Sequence, residues 1–83
     1  MGRYFFSLSN GSRTIHDREG TELEGLSAVQ DELIAFGLKV LKHRFSYGIE
    51  DPAQWSIEVM NEDHRVLSKM PLTRLKHLRR HAA

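Results

Sequence analysis

The chain has 83 residues, a formal net charge of +1, 40% hydrophobic residues and 28% charged residues, which is typical of one small soluble globular domain. It contains no cysteine, and this excludes disulfide bonds and thiolate metal sites. No apolar run approaches the roughly 20 residues of a transmembrane helix, and the first residues lack the apolar stretch of a signal peptide. We therefore expect a cytoplasmic protein.

The charges are divided unevenly along the chain. Residues 1–63 carry six basic and eleven acidic side chains, whereas the remaining residues carry six basic and no acidic ones. An acidic body with a basic end indicates that this end meets a negatively charged partner or folds back onto the acidic body. The charge pattern alone does not choose between a nucleic acid, a membrane surface and an acidic protein.

The N-terminal stretch predicts a β-hairpin. Aromatic and aliphatic residues alternate there with polar ones, as in a half-buried strand. Asn10-Gly11 follows, and this dipeptide suits the two-residue turn of a type I′ hairpin. Such a turn pairs Phe6 with Ile15 on the core face. We therefore predict a hairpin over residues 3–17.

A polar stretch with two glycines, residues 17–25, predicts a turn and a short extended connection. A helix is predicted from about Ala28 to Arg44, because apolar residues recur there at helical spacing. Ser27 and Gln30 form an S-x-x-Q pattern, which predicts a capping box at the start of this helix.

The apolar arc of the predicted helix covers roughly 200° of its circumference, which is wider than a single sheet usually buries. We expect another subunit or the C-terminal segment to cover part of it. Gly37 lies inside the arc and permits the close approach of a neighbouring backbone. The predicted protein–protein interface consists of Ile34, Leu38, Leu41 and Phe45.

A second hairpin is predicted after the helix. Alternating apolar and polar residues indicate a strand over residues 55–60 and a returning strand over residues 65–70. We expect Leu67 or Val66 to face inward, and Pro71 ends the strand. The order β-β-α-β-β predicts an α+β fold, in which an antiparallel sheet from two hairpins packs on one long helix.

We predict a single domain over residues 1–72, followed by a basic segment over residues 73–83. Leucines recur at every third position after Pro71, which predicts a short basic amphipathic helix or a frayed tail. Basic side chains of this segment can neutralise phosphates or contact an acidic partner. The predicted contact residues are Arg74, Lys76, Arg79 and Arg80. No aromatic residue is interleaved with them, which argues against stacking on single strands.

Three motifs occur together in the chain: R-Y-F-F at residues 3–6, D-x-E-G-x-E-L at residues 17–23 and W-S-I-E-V at residues 55–59. They resemble a family of small alphaproteobacterial proteins of unknown function. The resemblance covers nearly the whole chain up to Leu72 and implies the same order of elements, without implying an activity. The basic segment from Thr73 onward departs from the family pattern.

The order of elements also resembles that of antitoxins of the HicB type. These proteins place a hairpin before one helix and a strand after it, in a domain that often binds DNA. Because only the element order is shared, this is an analogy of fold. It gives a nucleic-acid-binding, antitoxin-like regulator as the alternative function.

No catalytic or metal-binding arrangement follows from the spacing of the polar residues. The acidic cluster of residues 17–24 lacks the calcium-loop pattern, and His77 and His81 have no third ligand nearby. Serine, histidine and aspartate also occur within residues 43–51, a coincidence that any loop offers. We therefore predict a non-enzymatic interaction or regulatory module without a cofactor, acting as a homodimer or with a protein partner.

Overall fold

The computed structural model describes residues 1–77, which contain five strands and one α-helix. The elements are β1 (Gly2–Ser9), β2 (Thr14–Ile15), β3 (Thr21–Leu23), α1 (Leu26–Lys42), β4 (Ser56–Met60) and β5 (Val66–Pro71). Short 3₁₀ helices occupy Arg44–Tyr47, Pro52–Gln54 and Leu72–His77. The predicted α+β class, with an antiparallel sheet packed on one long helix, is confirmed.

The sheet has β1 at its centre. Its strand order is β2-β1-β4-β5, and β3 also pairs with β1. β2 pairs with the end of β1 and β3 with its beginning, while β4 pairs with residues 5–9 of β1. The predicted extended connection thus contains a third short strand before the helix, because its residues continue the antiparallel pairing of β2 along β1.

The core lies between α1 and one face of the sheet. Across β1 and β4, Phe6 pairs with Val59 and Leu8 with Ile57, so four apolar side chains face the helix. Burying each such side chain stabilises the fold by roughly 1.5–3 kcal/mol. The buried hydrophobic residues are Phe6, Leu8, Val29, Leu33, Ile34, Val40, Ile49, Trp55, Ile57, Val59, Leu72 and Leu75.

The first hairpin has a four-residue connection, residues 10–13, and the predicted two-residue turn is wrong. Leu8 pairs with Ile15, so the predicted pairing of Phe6 with Ile15 differs from the observed register by two residues. The side-chain Oδ1 of Asn10 accepts two backbone N–H hydrogen bonds within the connection, at 2.9 and 2.7 Å, which stabilises the wider loop. Because the shift is even, Ile15 still lies on the core face.

The helix starts earlier than predicted. α1 begins at Leu26, Gly25 occupies the N-cap position, and no side chain caps the helix. Ser27 lies inside the first turn, so the predicted capping box is wrong. The backbone carbonyl of Gly25 instead accepts the first helical hydrogen bond, from the N–H of Val29 at 3.0 Å.

Residues 72–77 form a 3₁₀ helix, which agrees with the predicted short helix over the part of this segment that the structure describes. A 3₁₀ helix has three residues per turn, so Leu72 and Leu75 lie on the same side, and both are buried in the core. The N–H of Leu72 donates to the carbonyl of Trp55 at 3.0 Å. The packed part of the chain therefore extends beyond the predicted domain end at residue 72.

Gly37 of α1 packs directly against this last 3₁₀ helix. A Cβ atom at position 37 would overlap Cδ1 of Leu75 and would lie 3.0 Å from Cδ1 of Ile57. The predicted close approach at Gly37 is made by the side chains of Leu75 and Ile57. The three atoms nearest to the added Cβ all belong to these side chains, whereas we predicted a neighbouring backbone. The C-terminal segment thus covers part of the apolar arc of α1.

A register shift between β4 and β5 moves the apolar residues of β5 out of the core. The pairing changes between Val59 and Met60, so Val66 pairs with Met60, and Val66 and Leu67 are exposed by 52% and 40%. The prediction that Leu67 or Val66 faces inward is therefore wrong. Met70, paired with β4, packs against the core instead.

Candidate interaction surface

The four residues predicted as an interface lie along one side of α1 and its extension, at different depths. Ile34 is buried in the core, Leu41 is half-buried, and Leu38 and Phe45 are 43% and 72% exposed. Ile34 is therefore not available to a partner of the folded domain. We call the remaining three residues, Leu38, Leu41 and Phe45, the helix stripe.

Phe45 is exposed because the chain changes its winding after α1. It belongs to the 3₁₀ helix Arg44–Tyr47, in which Tyr47 rather than Phe45 packs against the core. The guanidinium carbon of Arg44 lies 4.6 Å from the centroid of the Phe45 ring. Such a cation–π contact contributes about 0.5–1 kcal/mol at an exposed site, and it limits the positions that the ring adopts.

The charges along α1 differ between its two ends. Asp31 and Glu32 lie in the N-terminal half, whereas Lys39, Lys42 and Arg44 lie at or just after the C-terminal end. Seven residues make nearly two helical turns, so Asp31 lies within about 20° of the direction of Leu38. The helix stripe thus has an acidic residue in line with it at one end and basic residues beside it at the other.

A second apolar surface lies on the side of the sheet that faces away from α1. It consists of the half-buried Phe5 and Met60 and the exposed Val66 and Leu67, and we call it the outer sheet face. The ion pair between Lys69 and Glu58, with 3.6 Å between Nζ and Oε2, lies across β4 and β5 beside it. The sequence predictions missed this surface because they placed one of the two β5 residues in the core.

Asp17 fills the interruption between β2 and β3. Its Oδ2 accepts the backbone N–H of Phe6 at 3.0 Å, and its Oδ1 accepts those of Glu19 and Gly20 at 3.3 and 3.0 Å. One carboxylate thereby replaces backbone partners that the strands do not supply. Gly20 has a φ of 73°, and a Cβ atom there would lie 2.8 Å from Cε2 of Phe5.

The family to which the chain belongs follows from its match to a family model. A family described as a domain of unknown function, DUF6894, matches residues 3–73. The chain belongs to this family. The predicted resemblance to a family of unknown function is confirmed. Searches of the curated proteins and of the solved structures found no match to the chain.

In this DUF6894 domain the three motifs have structural roles. Asp17 and Gly20 of D-x-E-G-x-E-L hold the interrupted strand edge, as described above. Arg3 of R-Y-F-F donates from Nη1 to the carbonyl of Glu19 at 2.8 Å and forms an ion pair with Glu22 at 3.3 Å. Trp55 of W-S-I-E-V lies in the core. The motifs therefore account for the fold and leave the activity of the family open.

The described residues of the DUF6894 domain show few groupings of polar side chains. Within residues 1–77, no group of three or more histidine, cysteine, aspartate or glutamate side chains is placed to hold a metal ion. In the acidic cluster, Asp17 accepts backbone hydrogen bonds and Glu22 pairs with Arg3. The same residues contain no helix with the length and apolar character needed to cross a membrane.

Of the four predicted basic contact residues, the structure describes the side chain of Arg74 alone. Arg74 is exposed on the last 3₁₀ helix, between the buried Leu72 and Leu75. The side chain of Lys76 lies outside the described part, as do Arg79 and Arg80. The structure therefore places the start of the basic segment at a fixed position on the domain surface.

Proposed function

We propose that this DUF6894 domain is a non-enzymatic, cytoplasmic interaction module that acts through protein–protein contacts, and that its partner is a second copy of itself. The helix stripe carries the proposal, because Phe45 and Leu38 expose 72% and 43% of their surface and the half-buried Leu41 lies between them along the chain. Contiguous exposed aromatic and aliphatic side chains are typical of interaction sites.

The charges of α1 favour a second copy as the partner. Two-fold symmetric dimers use the same surface on both subunits, and two copies of a helix run antiparallel when the symmetry axis is perpendicular to them. With the symmetry axis near Leu38, position 31 of one copy lies opposite position 45 of the other. Asp31 then lies beside Arg44 and Phe45 of the other copy at both ends of the pair. The opposite charges and antiparallel helix dipoles support this arrangement.

The size of the helix stripe supports a weak dimer. Burying the exposed parts of Leu38 and Phe45 removes about 200 Å² of apolar surface per copy, which corresponds to about 10 kcal/mol for two copies. The loss of translational and rotational freedom on association costs about 4–15 kcal/mol, and the peripheral ion pairs offset a small part of this cost. We therefore expect dissociation constants from micromolar to millimolar.

Sedimentation velocity over a concentration series tests the interface. The wild-type domain is expected to form dimers as its concentration rises, whereas the double variant Leu38→Asp with Phe45→Asp is expected to stay monomeric because four charges would enter the contact. His43→Asp is the matched control: His43 is exposed at the end of the same helix, about 140° or more away from Leu38 and Leu41. This control is expected to dimerise like the wild type.

A charge exchange tests the antiparallel arrangement itself. Arg44→Asp is expected to weaken the dimer by about threefold to tenfold, and Asp31→Arg combined with Arg44→Asp is expected to restore it. A wild-type domain that remains monomeric up to about 1 mM contradicts the proposal, since weaker association has no functional use. A dimer that survives the Leu38 and Phe45 substitutions places the contact elsewhere.

The alternative function, nucleic-acid binding, rests on the charge of the C-terminal segment. Four basic residues that neutralise phosphates are expected to give weak binding to duplex DNA, with a slope of log K against log salt of about −3 to −4. Arg79→Glu with Arg80→Glu is expected to abolish this binding. Arg18→Glu with Lys39→Glu makes the same charge change on the body and is expected to weaken it far less. Fluorescence anisotropy of a short labelled duplex at several salt concentrations measures both variants.

A further inference from the structure

A pocket of about 310 Å³ opens between α1 and the sheet, at the gap between β2 and β3. The register of the chain against β1 differs by two residues on the two sides of this gap, because Leu8 pairs with Ile15 but Tyr4 pairs with Thr21. The intervening residues loop away from β1 and leave its middle uncovered. The volume lies at the lower end of the roughly 300–1,000 Å³ that small-molecule sites occupy.

Aromatic rings form the walls of this pocket. Phe6 and Phe36 have ring centroids 6.3 Å apart at an interplanar angle of 59°, and Phe36 and Tyr47 have centroids 6.5 Å apart at 90°. Rings at such angles offer π-faces from more than one direction. The aliphatic part of the lining comes from Leu8 and Ile15. A group inside the pocket therefore meets the aliphatic side chains and the aromatic rings of the lining.

A carboxylate lies at the rim without a partner among the described residues. Glu32 lines the pocket one helical turn before Phe36, so both side chains lie on the same side of α1. Glu32 is half-buried, and the ion pairs of the described residues are those of Glu22 and Glu58. The other carboxylate of the lining, Asp17, already accepts three backbone N–H groups.

We propose that this pocket binds a small organic cation, namely an ammonium group attached to an aromatic or aliphatic body. The rings attract a cation through their quadrupoles, and the Glu32 carboxylate supplies the opposite charge at the rim. The apolar body of the ligand fills the space between Leu8, Ile15 and Phe36. No lysine or arginine lines the pocket, and the imidazole of His16 is the one basic group of the lining, so an anion would meet two carboxylates and a single basic side chain.

This site is separate from the helix stripe. Successive residues of a helix are 100° apart, which places Glu32 and Phe36 on the opposite side of the buried face of α1 from Leu38 and Leu41. The dimer and the ligand site therefore make independent predictions. The monomeric double variant Leu38→Asp with Phe45→Asp is expected to bind the cation as the wild type does, so failure of either proposal leaves the other testable.

An NMR titration of the ¹⁵N-labelled domain tests the site with three compounds that share one ring and differ in charge: benzylammonium, benzyl alcohol and benzoate. Benzylammonium is expected to bind about tenfold or more tightly than the other two and to shift the amide signals of Phe36 and Tyr47. Glu32→Gln is expected to lower its affinity to that for benzyl alcohol. Glu24→Gln removes the same charge from an exposed position outside the pocket and is expected to leave the affinity unchanged.

Two results would overturn the assignment. Equal affinities for the three compounds would show that the pocket recognises apolar surface without regard to charge. Absence of saturable shifts with benzylammonium, in a wild-type domain whose spectrum is that of a folded protein, would show that no cation site exists. Phe36→Leu keeps the pocket apolar but removes one ring, and its affinity for benzylammonium is expected to fall more than its affinity for benzyl alcohol.

Discussion

Replacing Gly37 with alanine is expected to destabilise the domain by about 2 kcal/mol, although alanine is the better helix former by about 1 kcal/mol. The added methyl group would overlap Leu75 and press on Ile57, and both side chains are fully buried. Because both side chains are fully packed, the overlap is relieved only if Leu75 changes its rotamer or the last 3₁₀ helix moves away from α1. Urea unfolding followed by circular dichroism measures the loss as a lower midpoint.

A double-mutant cycle identifies the contact behind this loss. Leu75→Ala alone is expected to lower the free energy of unfolding by about 3 kcal/mol, because it leaves a cavity. In the double variant the new methyl group fills part of that cavity, so the combined loss is expected to fall at least about 1 kcal/mol short of the sum. Additive losses would show that the two positions do not touch. Gly2→Ala, where an added Cβ makes only ordinary contacts of 3.5 Å or more with Tyr4, is the control.

Replacing Asp17 with alanine is also expected to have a large effect, lowering the free energy of unfolding by about 2–4 kcal/mol. The substitution removes the acceptor of three backbone N–H groups, and those of Phe6 and Gly20 are partly buried. Leaving a partly buried donor without an acceptor lowers the free energy of unfolding by about 1–3 kcal/mol. Hydrogen bonds to a charged acceptor are stronger than those to a neutral one. Thermal and urea unfolding provide two independent measurements.

Two further variants separate the hydrogen bonds of Asp17 from its charge. Asp17→Asn keeps one acceptor oxygen and is expected to lose about half as much stability as Asp17→Ala. Glu24→Ala removes the same charge from an exposed side chain without a described hydrogen bond and is expected to change stability by less than about 0.5 kcal/mol. A loss at Glu24 equal to that at Asp17 would mean that net charge, and not the strand gap, determines the effect.

The fold class followed from the sequence because the two periodicities were clear. The 3.6-residue pattern of α1 and the alternation in β1 and β4 each mark one buried face. The sequence did not predict the strand registers, because side-chain hydrogen bonds determine them. The dipeptide Asn10-Gly11 favours a two-residue turn, but the side chain of Asn10 stabilises a four-residue connection. Asp17 permits a gap in the strand pairing, which the pattern of apolar and polar residues does not predict.

The spacing of apolar residues in the sequence predicted only part of the helix stripe. Helical periodicity identifies which residues share a side of α1, but the depth of each depends on what packs beside it. The last 3₁₀ helix and the sheet bury Ile34 and leave Phe45 exposed, and neither packing is encoded within the helix. The ligand pocket was beyond prediction for a similar reason. It exists because the register changes by two residues between Ile15 and Thr21.

The central position of β1 has a consequence for the synthesis of this protein. The strand is made first, yet its long partner β4 follows about 50 residues later, since Phe5 pairs with Met60 and Ser9 with Ser56. A ribosome that adds about 5–20 residues per second needs several seconds for that interval. During this time the nascent chain presents two adjacent phenylalanines on a strand without its main neighbour. The sheet of the domain is thus completed only after β4 has been synthesised.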